Sequence, residues 1–519
     1  MKHKLGILIV VVMFLSMFSQ ISQVGGRDST ILWPTDGWQT STPEEQGVDS
    51  QPIVNLLQSN TEVHTILAIR HGKVIVDASR YPFTSTQPHA LFAVTKSVVS
   101  TLVGIAIDKG HIKSVNQSIW DFLPKDKTAN MNPQKEAITI EDLLTNRSGL
   151  LVADDLDIYK LTSKDAPWIQ YILDKPMQSD PGTSFQELNA NTHLLSAIVQ
   201  IATKMNTADF AAKFLFAPLG ITDSTWLADP QGVNEGGDHL YMSPMSMAKM
   251  GYLYLHGGQW DGQQIVSSAW VSSVTTTRVT GVSGSTTFDF GYLWWTSSLS
   301  GGKHPAYLAY GLLGQSIWVV PDLDIVLVTT NDLGIVSRAI ITTVVDASAS
   351  DQPLPSNAAS TKALQARIDE LAHPAAANIK PVPESLKVGS GKVYQLKPND
   401  FGWTSLSIDF SKPGEAFMTI GLPDTEIKLP IGLDNVYRVS ADGLPAEPVW
   451  RPIADVPQML KAGYLGNRFL VSMGDCMGME FWTLNINFSK DGSKMWLTAQ
   501  SLNVSTGEGA PTHDVIGEL

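Results

Sequence analysis

The chain has 519 residues, of which 43% are hydrophobic and 17% are charged, and its formal net charge is −14. This length allows two or three domains with a large apolar core, and the acidic balance excludes a basic surface for nucleic acid. The single cysteine, Cys476, excludes an internal disulfide. No cysteine–histidine cluster indicates a metal site, and no motif calls for a cofactor.

Residues 1–25 have the layout of a secretory signal peptide. Lys2, His3 and Lys4 precede an apolar run of 14 residues, Leu5 to Phe18, and a polar stretch follows. Because this run is too short for an ordinary membrane span, we expect a secreted or extracytoplasmic protein without a stable span in the mature chain. No clear small-x-small cleavage site follows, so an uncleaved anchor is the alternative.

Residues 30–350 predict one domain with strands at both ends and helices between them. The predicted order is a helix near 50–58, two strands within 65–78, a mostly helical middle, strands near 289–297, 306–310 and 315–330, and a helix at 335–347. Such an order implies an antiparallel sheet built from distant segments, with a helical subdomain beside it and a cleft between the two.

The composition changes after residue 350. Residues 351–384 are rich in Pro, Ser and Ala and predict a linker with one short helix at 361–372. From 385 to 519, short alternating runs separated by Gly, Pro, Asp and Asn predict a smaller all-β domain, a barrel or a sandwich. We find no catalytic signature in it.

Within 89–110 the pattern predicts a turn followed by a buried helix that starts Ala93-Val-Thr-Lys96. Positions i and i+3 of a helix share a face, so the side chains of Ala93 and Lys96 should point into one pocket. The free N–H groups of a first helical turn can stabilise an oxyanion. A serine in place of Ala93 would complete the S-x-x-K motif of penicillin-recognising hydrolases; the alanine keeps the N–H and lacks the hydroxyl.

The chain resembles the β-lactamase-related serine hydrolases, which include class C β-lactamases, D-alanyl-D-alanine peptidases, esterases and 6-aminohexanoate-dimer hydrolases. The resemblance covers roughly residues 33–346, in blocks such as STPEEQGVDS (41–50), ITIEDLLTNRSGL (138–150), NTHLLSAIV (191–199) and GQSIWVVPDLDIVLVTT (314–330). It implies a β-lactamase/penicillin-binding-protein-like fold of the α/β (α+β) class. It also implies a small-molecule or peptide substrate hydrolysed at an ester, amide or peptide bond.

The same resemblance assigns the catalytic positions. Ala93 stands at the nucleophile and Lys96 at the motif lysine, while Glu187 stands where relatives place a general-base tyrosine. Leu312 occupies the place of a lysine, histidine or tyrosine in the third motif. An alanine introduced in place of a natural serine would explain Ala93, but not Glu187 or Leu312.

Other residues of the cleft are candidates for substrate contact, and each has a structural alternative. Asn189 and Asn191 face the pocket or cap the helix that follows, and Tyr310 lines the cleft or packs on the sheet. In relatives the second oxyanion donor comes from the strand that holds Gln315 and Ser316. The predicted substrate-binding set is Asn189, Asn191, Tyr310, Leu312, Gln315 and Ser316.

Several polar residues are expected to be structural. Ser97 points about 100° round the helix from Lys96, and His193 lies in an apolar helix. Two further S-x-x-K tetrads, at Ser246 and Ser300, are interpreted as chance: the first suits a helix N-terminus, and glycines follow the second.

Lys96 needs a partner, because an unpaired amine in an apolar helix is costly to bury. Glu187 is the evident one, and we expect direct hydrogen bonding between the two. Three hypotheses follow: a serine-hydrolase-family protein with a degenerate site, an enzyme in which Glu187 and Lys96 act without a covalent intermediate, and a non-catalytic binding protein. The sequence does not determine the substrate or the oligomeric state.

Overall fold

The computed structural model describes residues 31–59, 63–153, 167–280, 288–331, 337–444, 454–478, 481–501 and 512–519. The signal peptide expected at 1–25 lies outside these residues. Trp33–Leu519 form one compact unit that holds both a sheet domain and a barrel. In the described part of the chain, no helix is both long enough and apolar enough to cross a membrane.

The helices of the described residues lie mostly before residue 350. In chain order they are α1 Ser50–Ser59, α2 Val94–Asp108, α3 Pro133–Glu136, α4 Ile140–Leu144, α5 Trp168–Leu173, α6 Asn189–Thr203, α7 Thr207–Ala211, α8 Pro244–Leu255, α9 Ser268–Val274, α10 Ser337–Ala347, α11 Ala358–Ala372 and α12 Glu384–Lys387.

The strands of the main sheet in the first domain come from its two ends, as predicted, and short strands β4 to β8 lie between them. They are β1 Gln39–Thr40, β2 Thr65–Arg70, β3 Lys73–Ser79, β4 His89–Ala90, β5 Thr225–Trp226, β6 Leu240–Met242, β7 Gln259–Trp260, β8 Gln263–Gln264, β9 Asp289–Phe290, β10 Trp295–Leu299, β11 His304–Tyr310, β12 Ser316–Val320 and β13 Ile325–Thr330. The main sheet has the order β1-β3-β2-β13-β12-β11-β10-β9 and is antiparallel except for the β1–β3 pair.

Helices cover both faces of this sheet. Alternate residues of each strand point to opposite faces, so one strand contributes to the core on each side. In β13, Val326 and Val328 pack into the core that contains α2, α6 and α8, whereas Ile325 and Leu327 pack against α1 and α10. The sheet and the helical middle confirm the predicted β-lactamase/penicillin-binding-protein-like fold. The sheet is mixed at β1, where two residues pair in parallel with β3.

Helix α2 carries the predicted A-x-x-K segment and lies inside the first core. Its sequence is rich in Val, Thr and Ser, which have modest helix propensity. Burial therefore stabilises it, since all residues from Val94 to Ala106 are buried.

The C-terminal domain is a barrel. Its strands are β14 Val393–Leu396, β15 Ser405–Asp409, β16 Glu415–Gly421, β17 Glu426–Gly432, β18 Arg438–Gly443, β19 Pro457–Leu465, β20 Arg468–Asp475, β21 Phe481–Phe488, β22 Lys494–Ser501 and β23 Thr512–Glu518. A pairing of β17 with β19 closes a ring of nine described strands, with β18 beside β19. Buried and partly exposed residues alternate along β21, as expected for a barrel wall. The predicted all-β domain is confirmed.

Candidate active site

Ala93 lies at the point where a sharp turn becomes helix α2. The preceding residue, Phe92, has a φ of 47°, and Ala93 itself is the N-cap of the helix with a φ of −64°. Ala93 is half-buried, and among the hydrogen bonds of the described residues its N–H has no acceptor. The residue therefore presents a methyl group and an available backbone donor.

Lys96 lies one turn further along α2 and points towards Glu187. Its Nζ donates to Glu187 Oε1 at 2.9 Å, which confirms the contact expected from the sequence. The Lys96 side chain is 8% exposed, whereas the Glu187 side chain is 35% exposed. The pair is thus buried on the lysine side and open to solvent on the carboxylate side.

A second carboxylate, Asp238, lies within electrostatic range of Lys96. Burial raises the pKa of Asp238 above its ordinary value, although the positive charge of Lys96 opposes the rise. Asp238 Oδ2 accepts a hydrogen bond from Asn189 Nδ2 at 2.5 Å. Asn189 is therefore part of a polar network behind Lys96, and its contact with substrate stays a prediction.

The loop that supplies Asp238 is folded around Glu235. The two carboxylate oxygens of Glu235 accept from the backbone N–H groups of Gly237, Asp238 and His239, at 2.7, 2.6 and 3.0 Å. Burial opposes ionisation, but the bond from His239 and the nearby positive charge lower the pKa of Glu235. The pKa of His239 is raised: burial works against this, and the bond to Glu235 overcomes it. His239 Nδ1 lies 3.5 Å from Glu235 Oε2, so the two side chains form a buried acid–base pair.

Two glycines bring this loop against α6. A Cβ on Gly236 would lie 2.2 Å from the carbonyl oxygen of Thr192, and one on Gly237 would lie 2.5 Å from Asn189 Cγ. The sequence reasoning missed this loop. Its signal was the segment E-G-G-D-H, in which adjacent glycines between charged residues indicate a close backbone approach.

Gly311, at the end of β11, brings the third predicted motif to the start of α2. A Cβ on Gly311 would lie 2.5 Å from the Leu91 carbonyl oxygen and 3.1 Å from Ala93 N. The φ of Gly311 is −127°, so the requirement for glycine here is one of space and not of backbone conformation. The strand end and the first turn of α2 are thereby in contact.

Tyr310 and Leu312 flank this glycine. Tyr310 packs against the core on the α1 side of the sheet; burial raises the pKa of its phenol, and the charge of Glu187 adds to the rise. Leu312 is 39% exposed. Both lie near the cleft, and their contact with substrate stays a prediction.

Besides Asn189, three more of the predicted substrate-binding residues are buried. Asn191 donates from Nδ2 to Asn146 Oδ1 at 3.0 Å. Gln315 donates to the Asn331 carbonyl at 2.6 Å and accepts from the Asn331 N–H at 3.0 Å, and the Ser316 hydroxyl bonds across to β13 at 2.7 Å. These side chains support the walls of the site and do not face solvent. A direct contact with substrate would have to come from their backbone.

The remaining serines of interest are engaged elsewhere. Ser97 donates to the carbonyl of Leu293 at 2.6 Å, and Ser246 donates to Asp223 Oδ1 at 2.6 Å. The hydroxyl of Ser300 bonds to Asp346. These contacts agree with structural roles.

The histidine of α6 is also engaged in packing. His193 is fully buried, its Nε2 lies 3.1 Å from Asp229 Oδ2, and its ring packs edge-on against Trp168.

Across the described residues, no group of three or more His, Cys, Asp or Glu side chains is arranged to hold a metal ion.

A comparison with known families matches residues 60–348 to the Beta-lactamase family. The chain belongs to this family. It is also 26% identical to the 6-aminohexanoate-dimer hydrolase of Paenarthrobacter ureafaciens over 284 residues, which are 50% of this chain and 70% of that protein.

Two further similarities are more remote. Protein flp of Staphylococcus aureus (strain COL) is 23% identical over 193 residues, which are 35% of this chain and 38% of that protein. Among solved structures, the octameric penicillin-binding protein homologue from Pyrococcus abyssi matches with a TM-score of 0.47 and 14% identity, over 90% of this chain and 99% of that one.

Proposed function

We propose that this chain is an exported protein of the serine-hydrolase type that binds ester, amide or peptide compounds and forms no acyl-enzyme. One observation carries the proposal: next to the buried Lys96 amine, position 93 is a methyl group, and that amine is bonded to Glu187 at 2.9 Å. The acyl-enzyme route needs a nucleophile with a lone pair at this position.

The neighbouring groups do not replace the missing hydroxyl. Ser97 already donates to a backbone carbonyl. Lys96 is near two carboxylates, Glu187 and Asp238, and negative neighbours favour its ammonium form, which cannot accept a proton. Loss of the nucleophile typically lowers turnover by about 10⁶-fold.

The site retains groups that recognise a carbonyl compound. The Ala93 N–H is available as a donor to a carbonyl oxygen. Lys96 carries positive charge at the same helix end, and Glu187 is open to solvent. We therefore propose binding as the retained activity of the cleft.

Two measurements on the purified protein test this proposal. Incubation with a fluorophosphonate should leave the intact mass unchanged. The second ligand is the linear dimer of 6-aminohexanoate, the compound in the name of the 26% identical relative. Calorimetry should detect its binding, and chromatography should show that it remains uncleaved. A covalent adduct at native sites, or binding no weaker in a Lys96→Met variant, would contradict the proposal.

A second candidate function is hydrolysis by an activated water, and the 35% exposure of Glu187 favours it. Glu187 would take a proton from water as the water oxygen bonds to the carbonyl carbon. The carbonyl oxygen would receive negative charge beside the Ala93 N–H, and Glu187 would return the proton to the leaving group as its bond breaks. Slow turnover of the dimer, lost in Glu187→Gln and without any covalent adduct, distinguishes this route from binding alone.

Export is the remaining part of the proposal. It is supported by the basic start and the apolar run within residues 1–25. Expression of the full chain, followed by cell fractionation and N-terminal sequencing, tests it. A soluble extracytoplasmic product that has lost this segment is expected; retention in the membrane with an intact N-terminus would indicate the uncleaved anchor.

A further inference from the structure

A turn of the C-terminal barrel lies against the segment that leads to Ala93. The turn Asp475–Gly478 begins at the last residue of strand β20. The carbonyl of Met477 accepts a hydrogen bond from the Ala90 N–H at 2.7 Å. The bond joins the barrel to strand β4, three residues before Ala93.

Gly478 lies directly against His89 of strand β4. A Cβ on Gly478 would lie 2.2 Å from His89 Nε2. The imidazole cannot easily give way, because its two nitrogens lie 2.9 Å from His64 Nδ1 and 3.0 Å from the Ala90 carbonyl oxygen. Both domains are therefore in close contact at this point.

The Met477 side chain enters a small apolar cluster behind the site. Its partners are Ala90, Phe92, Tyr241 and Leu313, which are all buried. Phe92 is the residue immediately before Ala93, and Leu313 belongs to the turn after β11. The barrel thus supplies one wall around the segment that presents Ala93.

Phe92 depends on such packing because its backbone is strained. A φ of 47° is unfavourable for a bulky residue and persists only where the surroundings hold it. Contacts that fix Phe92 therefore fix the direction in which α2 begins.

The barrel turn is itself well held. Asp475 is 3% exposed, and its carboxylate accepts from the Met477 N–H at 2.8 Å. The Cys476 N–H donates to the Pro457 carbonyl at 3.0 Å, and the Gly478 N–H donates to the Asp475 carbonyl at 3.2 Å. These hydrogen bonds all join residues of the barrel domain, so the barrel itself fixes the conformation of the turn.

We infer that the Asp475–Gly478 turn is a positioning element of the active site. Met477 packs on the cluster that holds Phe92 in its strained conformation, and Gly478 lies against His89. Together they fix the segment before Ala93 and so set the place of the Ala93 N–H and of Lys96. The barrel is accordingly a part of the site and not an independent module. This inference concerns the geometry of the site and does not depend on which ligand the cleft takes.

The methyl group of Ala93 offers a direct reporter for the test. The full chain is labelled with ¹³C-methyl alanine, and the Ala93 signal is assigned from an Ala93→Gly variant. Met477→Ala and Gly478→Ala should each shift or broaden this signal, and hydrogen exchange of a peptide that contains Ala90 should become faster. Met477→Leu, which keeps most of the packing, should retain the native signal.

Gly466→Ala is the matched control. Gly466 also has a positive φ, 61° against 73° for Gly478, but a Cβ there meets nothing within 4 Å. It lies beyond the opposite end of β20, so the strain of the substitution is similar and the contact with His89 is absent. Its Ala93 signal should stay native.

The outcomes are decisive even if Gly478→Ala does not fold, because Met477→Ala removes side-chain packing without a clash. A native Ala93 signal and native exchange at Ala90 in folded Met477→Ala would overturn the inference. Lower thermal stability in that variant with an unchanged Ala93 signal would show a merely structural role and would overturn it as well. Neither result bears on whether the cleft binds carbonyl compounds.

Discussion

Lys96 Nζ and Glu187 Oε1 lie 2.9 Å apart, and the two side chains differ fourfold in exposure, 8% against 35%. This asymmetry changes what the pair contributes. A fully buried pair is expected to cost about 3 kcal/mol or more when it is broken, whereas an exposed pair contributes at most about 1 kcal/mol.

We therefore predict an intermediate coupling between Lys96 and Glu187. A double-mutant cycle of Lys96→Met and Glu187→Gln, measured by urea unfolding, should give a coupling energy of about 1–3 kcal/mol. Solvent reaches the partly exposed carboxylate, and after Glu187→Gln the nearby Asp238 still faces the Lys96 charge, so both lower the penalty of removing Glu187. A coupling energy of zero would show that the pair does not interact in solution.

Restoring the nucleophile alone should not restore acylation. Ala93→Ser should react with a fluorophosphonate slowly or not at all, because Lys96 stays bonded to Glu187. Ala93→Ser combined with Glu187→Tyr should form the adduct, since a tyrosine, once deprotonated, can accept the serine proton and the lysine loses its direct bond to Glu187. Intact-mass spectrometry over time measures both rates. Ala93→Ser with Glu187→Phe is the control, and rapid labelling of Ala93→Ser by itself would refute the argument.

Stability should fall on the alkaline side because of the buried Glu235–His239 pair. The raised pKa of His239 gives a contribution that is complete below its unfolded value near 6.5 and is lost as the pH rises through the folded value. The lowered pKa of Glu235 gives a contribution that is present above its unfolded value near 4.5. The pair is therefore most stabilising between these two pH values. The raised pKa of the adjacent Asp238 has the opposite effect on the carboxylate side: its contribution to stability decreases as the pH rises within the same window.

Urea unfolding at pH 6, 7, 8 and 9 tests this dependence. The free energy of unfolding should decrease with a slope of at most about 1.4 kcal/mol per pH unit, the limit for one proton. His239→Gln should remove most of the slope. An identical slope in the His239 variant would contradict the assignment.

Gly311→Ala should weaken the junction between β11 and α2. The added methyl meets the Leu91 carbonyl and Ala93 N, and such overpacking typically costs about 1–3 kcal/mol. Gly463→Ala in barrel strand β19 is the matched control, because a Cβ there meets nothing within 4 Å. Thermal unfolding should show a clear loss for Gly311→Ala and little change for Gly463→Ala; equal effects would argue against the close contact.

Much of the fold followed from local pattern in the sequence. The apolar run after Ala93 predicts a buried helix, and the paired strands near 65–78 and 315–330 predict one sheet, because side-chain period reports which face of an element is buried. The ordered blocks pointed to the family, and the same resemblance placed Glu187 opposite Lys96, whose burial required a partner. These inferences use near neighbours in the chain or an alignment of whole blocks.

The rest was decided by tertiary packing. The Glu235 loop reaches Asn189 because two glycines allow a close approach, and the Met477 turn reaches Ala90 because the barrel docks beside β4. Burial of Asn191 and Gln315, which sequence reasoning placed among substrate contacts, likewise depends on partners far along the chain, Asn146 and Asn331. Periodicity carries no information on such partners, since it describes one element at a time and the contacts arise where distant elements meet.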